Sequence, residues 1–181
     1  MNKDIEKILI SESELDSLVT RIAAEIDRDY PDRSKGLLLL CILKGSVVFM
    51  GDLMKKIERP VEIDFMKVSS YGASTTTSGF IQVHLDLKRD VQGADVIVIE
   101  DIIDSGRTLE KLSHLLADRG AHSVRFCTLL DKPERRQVDL DADYVGMNIP
   151  DAFVVGYGLD YDEKYRNLPY VGILKPAVYQ K

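Results

Sequence analysis

The residues best suited to chemistry crowd into one stretch, Val96-Ile97-Val98-Ile99-Glu100-Asp101-Ile102-Ile103-Asp104-Ser105-Gly106-Arg107-Thr108. An apolar run ends in two adjacent carboxylates, and a small, hydroxyl-rich turn and an amphipathic helix follow. Paired acids at the end of a buried strand repel each other and any nearby phosphate. They are favourable only opposite something that neutralises them or donates to them, such as a vicinal diol or a divalent cation. Ser105-Gly106-Arg107-Thr108 opens a helix. The first amide hydrogens there lack intrahelical partners, and the helix dipole favours an anion. Gly106 lets the backbone approach a phosphate closely. Ser105 and Thr108 add hydroxyl donors and Arg107 adds charge. The GxxxxGK[ST] pattern of a Walker loop is absent. Asp104, between acids and cradle, is placed to exchange a proton with a base attached to a sugar, or to stabilise positive charge on the ring. The implied ligand carries a diol at one end and a phosphate at the other. The plainer alternatives are solvated loop acids and a helix capped by Ser105 or Asp104.

The elements that must hold these groups can be read along the chain. Ser11 and Glu14 have capping-box spacing at the start of a helix reaching Tyr30, with Leu15, Leu18, Val19, Ile22, Ala23 and Ile26 on one face. Gly36 to Leu43 is continuously apolar, which predicts a strand buried on both faces. Lys44-Gly45-Ser46 is a turn, and Val47, Met50, Leu53, Met54 and Ile57 then repeat with helical period. Val61, Ile63 and Phe65 alternate with acids, and Ile81, Val83, Leu85 and Leu87 alternate with polar residues. Both read as half-exposed strands, antiparallel neighbours. Between them Ser69 to Gly79 is small and polar, as in a functional lid or a disordered segment. The strand at Val96 is followed by a helix with Leu109, Leu112, Leu115 and Leu116, ending at Gly120. Val124 to Leu130, Tyr144-Val145, Phe153 to Val155 and Tyr170 to Leu174 complete the strands. This alternation predicts an α/β fold with a mostly parallel central sheet flanked by helices. In such sheets ligands bind beyond the carboxyl ends of strands, where the turns at Lys44 and Glu100 fall.

The chain of 181 residues suits one domain, 1–181, with a sizeable core. A net charge of -6 argues against a nucleic-acid partner, because backbone binding needs clustered Lys and Arg. No apolar run reaches the length of a membrane span and no secretory leader opens the sequence, so the expectation is a cytoplasmic protein without a membrane partner. Cys41 and Cys127 sit in apolar strand contexts, as buried free thiols do. His84, His114 and His122 share no metal-ligand spacing with them.

Val98 to Thr108 resembles the signature of the type I phosphoribosyltransferases, and more narrowly of the branch that acts on hypoxanthine and guanine. The resemblance runs from the N-terminal helix to Leu174 through four motifs in the family's order. It implies that family's fold, with a small hood and a mobile lid loop. Leu43-Lys44-Gly45-Ser46 is similar to the pyrophosphate loop, where backbone amides and the lysine meet pyrophosphate and the Leu-Lys peptide is often cis. Ser70-Tyr71 matches the pair on the lid that excludes water from the reacting centre. In Leu129-Leu130-Asp131-Lys132, Lys132 matches the lysine that donates to a purine 6-oxo group. Read alone, it would be a solvated charge. In Phe153 to Tyr161, Phe153 matches the aromatic that stacks on the purine, Val154 a backbone contact to its edge, and Asp160 a magnesium ligand. Arg166 matches a pyrophosphate contact. Ala152 stands where some relatives carry lysine, and Arg107 replaces a lysine of some members.

The resemblance thus implies transfer of phosphoribose from 5-phosphoribosyl-1-pyrophosphate to N9 of a 6-oxopurine, with Mg2+ held by Asp160, Glu100 and Asp101. Asp104 is the general acid/base. Lys44, Gly45, Ser70, Tyr71, Glu100, Asp101, Ser105, Gly106, Arg107, Thr108, Lys132, Phe153, Val154 and Arg166 meet the substrates, in a homodimer or homotetramer. Two other readings are a transferase for another base, such as xanthine, and a donor-sensing regulator on the same fold.

Overall fold

The computed structural model describes residues 3–70 and 81–180. Its core is a six-stranded sheet in the order β4-β3-β2-β5-β6-β7. These strands are β2 (Leu37–Ile42), β3 (Glu62–Ser70), β4 (Ile81–Leu85), β5 (Asp95–Ile103), β6 (Ser123–Asp131) and β7 (Tyr144–Asn148). All neighbours are parallel except β3 and β4, the expected antiparallel pair. A second, three-stranded antiparallel sheet, β1 (Ile5–Ile10), β9 (Val171–Leu174) and β8 (Val154–Val155), forms the hood together with α4 (Pro176–Tyr179). The lid segment expected at Ser69 to Gly79, Tyr71 included, falls largely outside the described residues. Ser70 closes β3, paired with Ile81.

Helices lie on both faces, as the alternation of elements requires. The first helix, α1 (Glu12–Asp29), starts at Ser11 with the full capping box. The Glu14 amide donates to Ser11 Oγ at 3.3 Å, and the Ser11 amide to Glu14 Oε2 at 2.8 Å. Its stripe of Leu15, Val19, Ile22 and Ile26 packs with α2 (Val47–Lys56) on the face made by Leu39, Cys41, Ile97, Ile99 and Cys127. The opposite face, with Leu38, Leu40, Val96 and Val98, is covered by Leu109, Leu112 and Leu116 of α3 (Arg107–Asp118). All six residues of β2 are buried because each face of this central strand is roofed by a helix. Cys41 and Cys127 are buried free thiols. Among the described residues no helix is long and apolar enough to cross a membrane.

Three details differ from the sequence reading. The strand β5 does not stop at the acids; it continues through them to Ile103, with Glu100 opposite Thr128 and Ile102 opposite Leu130. The ladder to β6 satisfies the backbone there, so the turn begins only at Asp104. Second, neither Ser105 nor Asp104 caps α3. Gly106 occupies that position in the left-handed region, φ 79, with no side-chain cap bond. Third, β1 and α4 were not anticipated. The ladder of β1 with β9 is interrupted between Ile5 and Lys7 and again between Ile8 and Ile10, which breaks the period-two pattern a strand would show.

Leu112 is fully buried between α3 and the sheet. Leu112→Ala is expected to cost about 2–5 kcal/mol in urea unfolding, the range for emptying such a site. A loss below about 1 kcal/mol would show that this face is not packed as described.

Candidate active site

The site forms at the carboxyl ends of β2 and β5. Beyond β2 the chain turns through Leu43-Lys44-Gly45-Ser46, and the Leu43–Lys44 peptide is cis, as the resemblance implied. Gly45 is required by space: a Cβ there would lie 1.5 Å from Asp101 Oδ2. Gly158, at φ +101, presses on the same point, since its Cβ would lie 2.0 Å from the Gly45 carbonyl oxygen. The turn after β2, the acidic end of β5 and the loop following β8 therefore meet at one position.

Glu100 and Asp101 are carboxylates short of donors. Glu100 Oε2 is buried without a hydrogen-bond partner. Burial, and then the charge of Asp101, push the Glu100 carboxyl well above its usual range. Burial pushes Asp101 up to about 6, against the stabilising Ile102 amide at 2.7 Å and the charge of Arg166. Arg166 pairs with Asp160 at 2.9 Å and donates to the Gly158 carbonyl at 2.8 Å. What sequence alone would make a surface pair is thus a half-buried tie across the loop. Lys44 Nζ meets Glu163 at 3.0 Å, and this lysine holds the Glu163 carboxyl below its ordinary value. Glu163 also lies 3.4 Å from Arg166. Nothing in its sequence context singled it out. Lys44 and Arg166, residues 122 positions apart by their numbers (166 − 44), share this one acid.

Next to the acids is a cavity of about 220 Å3 lined by Leu43, Glu100, Asp104, Ser105, Gly106 and Thr108 among others. It lies over the amino end of α3, where unpaired amides and the helix dipole favour an anion. Arg107 is exposed and does not line this cavity. Glu100, Asp104, Ser105, Gly106 and Thr108 thus line one cavity, whereas Asp101 lies against Gly45 and Arg107 is exposed.

A second cluster joins Asp104 to the end of β6. Arg135 Nε lies 2.5 Å from Asp104 Oδ1, and its Nη1 lies 3.0 Å from Asp151 Oδ2. Asp151 also meets Lys132 Nζ at 3.3 Å, and Lys132 donates to the Ala152 carbonyl at 2.9 Å. Lys132 is only 8 % exposed, so it is no solvated surface charge. An ammonium has three donors, and two are engaged. Phe153 is 38 % exposed, unusual for a large apolar ring beside a core. It stacks on Tyr179 at 4.7 Å and meets Tyr161 edge-on at 5.5 Å. Val154 is buried and paired with Ile173. Arg135, Asp151 and Tyr179 were not found from sequence. Exposed-looking charges after a strand and an aromatic near the C-terminus carry no signal until the fold brings them together.

Among the described residues, no three His, Cys, Asp or Glu side chains converge as a self-sufficient metal cage. The donors present are carboxylate oxygens, one of them orphaned. That set fits a hard cation that takes most of its ligands from water and substrate, as magnesium does.

Comparison with known proteins identifies the family. A family profile described as "Phosphoribosyl transferase domain" matches residues 11–162. The chain is 53% identical over 180 residues to the hypoxanthine-guanine phosphoribosyltransferase of Bacillus subtilis (strain 168), covering 99% of both chains. It is 50% identical over 181 residues to that of Streptococcus thermophilus (strain CNRZ 1066), covering 100% of this chain and 99% of the relative. A crystal structure of a hypoxanthine phosphoribosyltransferase from Staphylococcus aureus superposes with a TM-score of 0.92 at 47% identity, covering 98% of this chain and 96% of that one. With acids, anion cradle and buried lysine at one rim of the sheet, and with these likenesses over nearly its whole length, the chain belongs to the phosphoribosyltransferase family.

Proposed function

We propose that this chain is a purine-salvage enzyme that transfers 5-phosphoribose from 5-phosphoribosyl-1-pyrophosphate to N9 of hypoxanthine or guanine, giving IMP or GMP and pyrophosphate. The observation that carries this reading is the orphaned carboxylate oxygen of Glu100 beside a cavity lined by the amino end of α3. A phosphorylated ribose satisfies both at once. Its hydroxyls donate to Glu100 and Asp101, and its 5'-phosphate accepts from the amides and hydroxyls of Ser105, Gly106 and Thr108. Arg107 adds only long-range charge from its exposed position. Lys44, Gly45 and Arg166 serve the departing pyrophosphate. As the C1'–O bond breaks, the ribose becomes cation-like, and nearby carboxylates favour that charge. Lys132 offers its remaining donor to a 6-oxo group, which disfavours a 6-amino purine. Phe153 supplies a ring face for the base, with Val154 at the base edge. Ser70 and Tyr71 belong to the lid in this reading. Asp104 exchanges the proton at purine N7, once Arg135 yields its carboxylate to the substrate.

Magnesium belongs to the same reading, held by Asp160 with Glu100 and Asp101. When bound, it draws charge from the pyrophosphate and so eases its departure. A cytoplasmic setting and a homodimer or homotetramer complete it. The donor-sensing regulator is disfavoured by a Lys132 so fully built into a base site. Small-molecule substrates, rather than nucleic acid or a membrane, fit a chain with net charge -6.

Pyrophosphate release should be rapid with hypoxanthine or guanine, slow with adenine and uracil, and lost when chelator removes magnesium. Xanthine as the best substrate would move the reading to a different base, and tight donor binding with no base active would favour the regulator. Asp104→Asn should fold normally and lose at least ~100-fold in turnover, the scale of general acid-base catalysis. Near-normal turnover would remove Asp104 from that role.

The acids also set a stability cost. Asp101 is raised from its ordinary value of 3.8 to about 6. The neutral form therefore stabilises the folded chain below pH 4, and this contribution is lost as pH rises through about 6. Glu100→Gln combined with Asp101→Asn should raise the thermal unfolding midpoint at pH 8, with the gain vanishing toward pH 4. The same variant should bind the donor more weakly. A lowered midpoint at pH 8 would show that the carboxylates are not under electrostatic cost.

A further inference from the structure

The segment after β6 does more than supply Lys132. It grips the loop from Ile103 to Ser105 by its carbonyls. The Lys132 amide donates to the Ile103 carbonyl at 3.0 Å, and the Gln137 amide to the Ser105 carbonyl at 3.0 Å. Between these two, Arg136 Nη1 donates to the Asp104 carbonyl at 2.8 Å. The next carbonyl, of Gly106, accepts from the Glu110 amide within α3 at 3.0 Å. Four consecutive carbonyls are therefore engaged.

A trans peptide unit is planar, with its C=O and N–H pointing in opposite directions. Fixing the Asp104 carbonyl fixes the Ser105 amide, and fixing the Ser105 carbonyl fixes the Gly106 amide. Ser105 and Gly106 both line the cavity, so pinning the carbonyls sets the direction of amides at its wall. Of these contacts, the one made by Arg136 is the one carried by a side chain. Its other arm is anchored: Arg136 Nη2 lies 2.5 Å from Asp131 Oδ1, at the last residue of β6. Both side chains are nearly enclosed, 12% and 9% exposed. The stem of Arg136 also lies against Gly106, where a Cβ would meet its Cδ at 3.0 Å and Val138 at 2.8 Å. A fork that spans a carboxylate and a carbonyl is geometry that guanidinium provides and a single ammonium does not.

We infer that Arg136, fixed by Asp131, is a positioning residue that presets the anion-binding amides of Ser105 and Gly106. It thereby ties the base-recognising end of β6 to the phosphate cradle of β5 and α3. The inference rests on the reading of that cradle as the 5'-phosphate site. Arg136 itself touches no substrate in it.

The test is calorimetric binding of GMP and of guanosine, which differ only in the phosphate, to the wild-type chain and to Arg136→Met, Arg136→Lys and Asp131→Asn. The wild type should hold GMP far more tightly than guanosine. Arg136→Met should lower the GMP-to-guanosine affinity ratio by about tenfold, the scale of losing one or two well-aimed charge-assisted hydrogen bonds. Guanosine affinity should stay within about twofold, because Lys132 keeps its contacts to Asp151 and the Ala152 carbonyl, which Arg136 does not make. Arg136→Lys, which keeps the charge and loses the fork, should stay near the Arg136→Met ratio. Asp131→Asn should shift the ratio the same way and keeps the test open if Arg136→Met does not fold. A wild-type ratio in these variants overturns the inference. So does an equal loss for both ligands, which marks general damage. A wild type that fails to distinguish GMP from guanosine overturns the cradle itself, and that result is visible before any variant is made.

Discussion

The contact on which the site depends is the passage of Gly45 against Asp101. A side chain at Gly45 would have to displace the Asp101 carboxylate, since even a methyl group would overlap it where it stands. Gly158 pushes from the third side and is the stricter of the two, since a Cβ there would meet the Gly45 backbone. Three segments far apart in sequence are thereby held at one point. The acids, the Lys44 turn and the Asp160–Arg166 tie acquire fixed positions relative to each other. Pre-set geometry of this kind spares a reaction the cost of assembling its groups.

That crowding has an electrostatic consequence. Glu100 and Asp101 are held where burial disfavours their charge and where the protein provides few donors. A fold selected for stability alone would use neutral residues here. The strain is supported elsewhere, by a sheet whose central strand is roofed on both faces and by helices with continuous apolar stripes. Across the rim the balance is reversed. Lys132, Arg135 and Asp151 compensate one another in a chain leading from the end of β6 to Asp104. The Arg135 end is charge-paired within the protein, whereas burial leaves Glu100 Oε2 without a hydrogen-bond donor.

Much of the architecture was legible because its signals are local. The capping box at Ser11, the unbroken apolar run of β2, the helical stripe of α3 and the alternation in β3 and β4 each report a single element, and each is found as read. The hood strand β1 was not legible, since its interrupted ladder erases the alternation that marks a strand. The continuation of β5 through its acids was not legible either. It depends on the β6 backbone alongside, not on the residues themselves.

Residue type and order determined that acids, a glycine-hydroxyl turn and a helix start would follow one another, because those are neighbours in the chain. They also determined that a glycine, Gly106, stands in the turn before that helix. Sequence could not determine that Lys132 is enclosed, that Glu163 joins Lys44 to Arg166, or that Arg136 reaches the Asp104 carbonyl from the segment after β6. Those are contacts between segments. They exist only once the parallel sheet sets β2, β5 and β6 side by side with their carboxyl ends at one rim, and no local pattern carries that information.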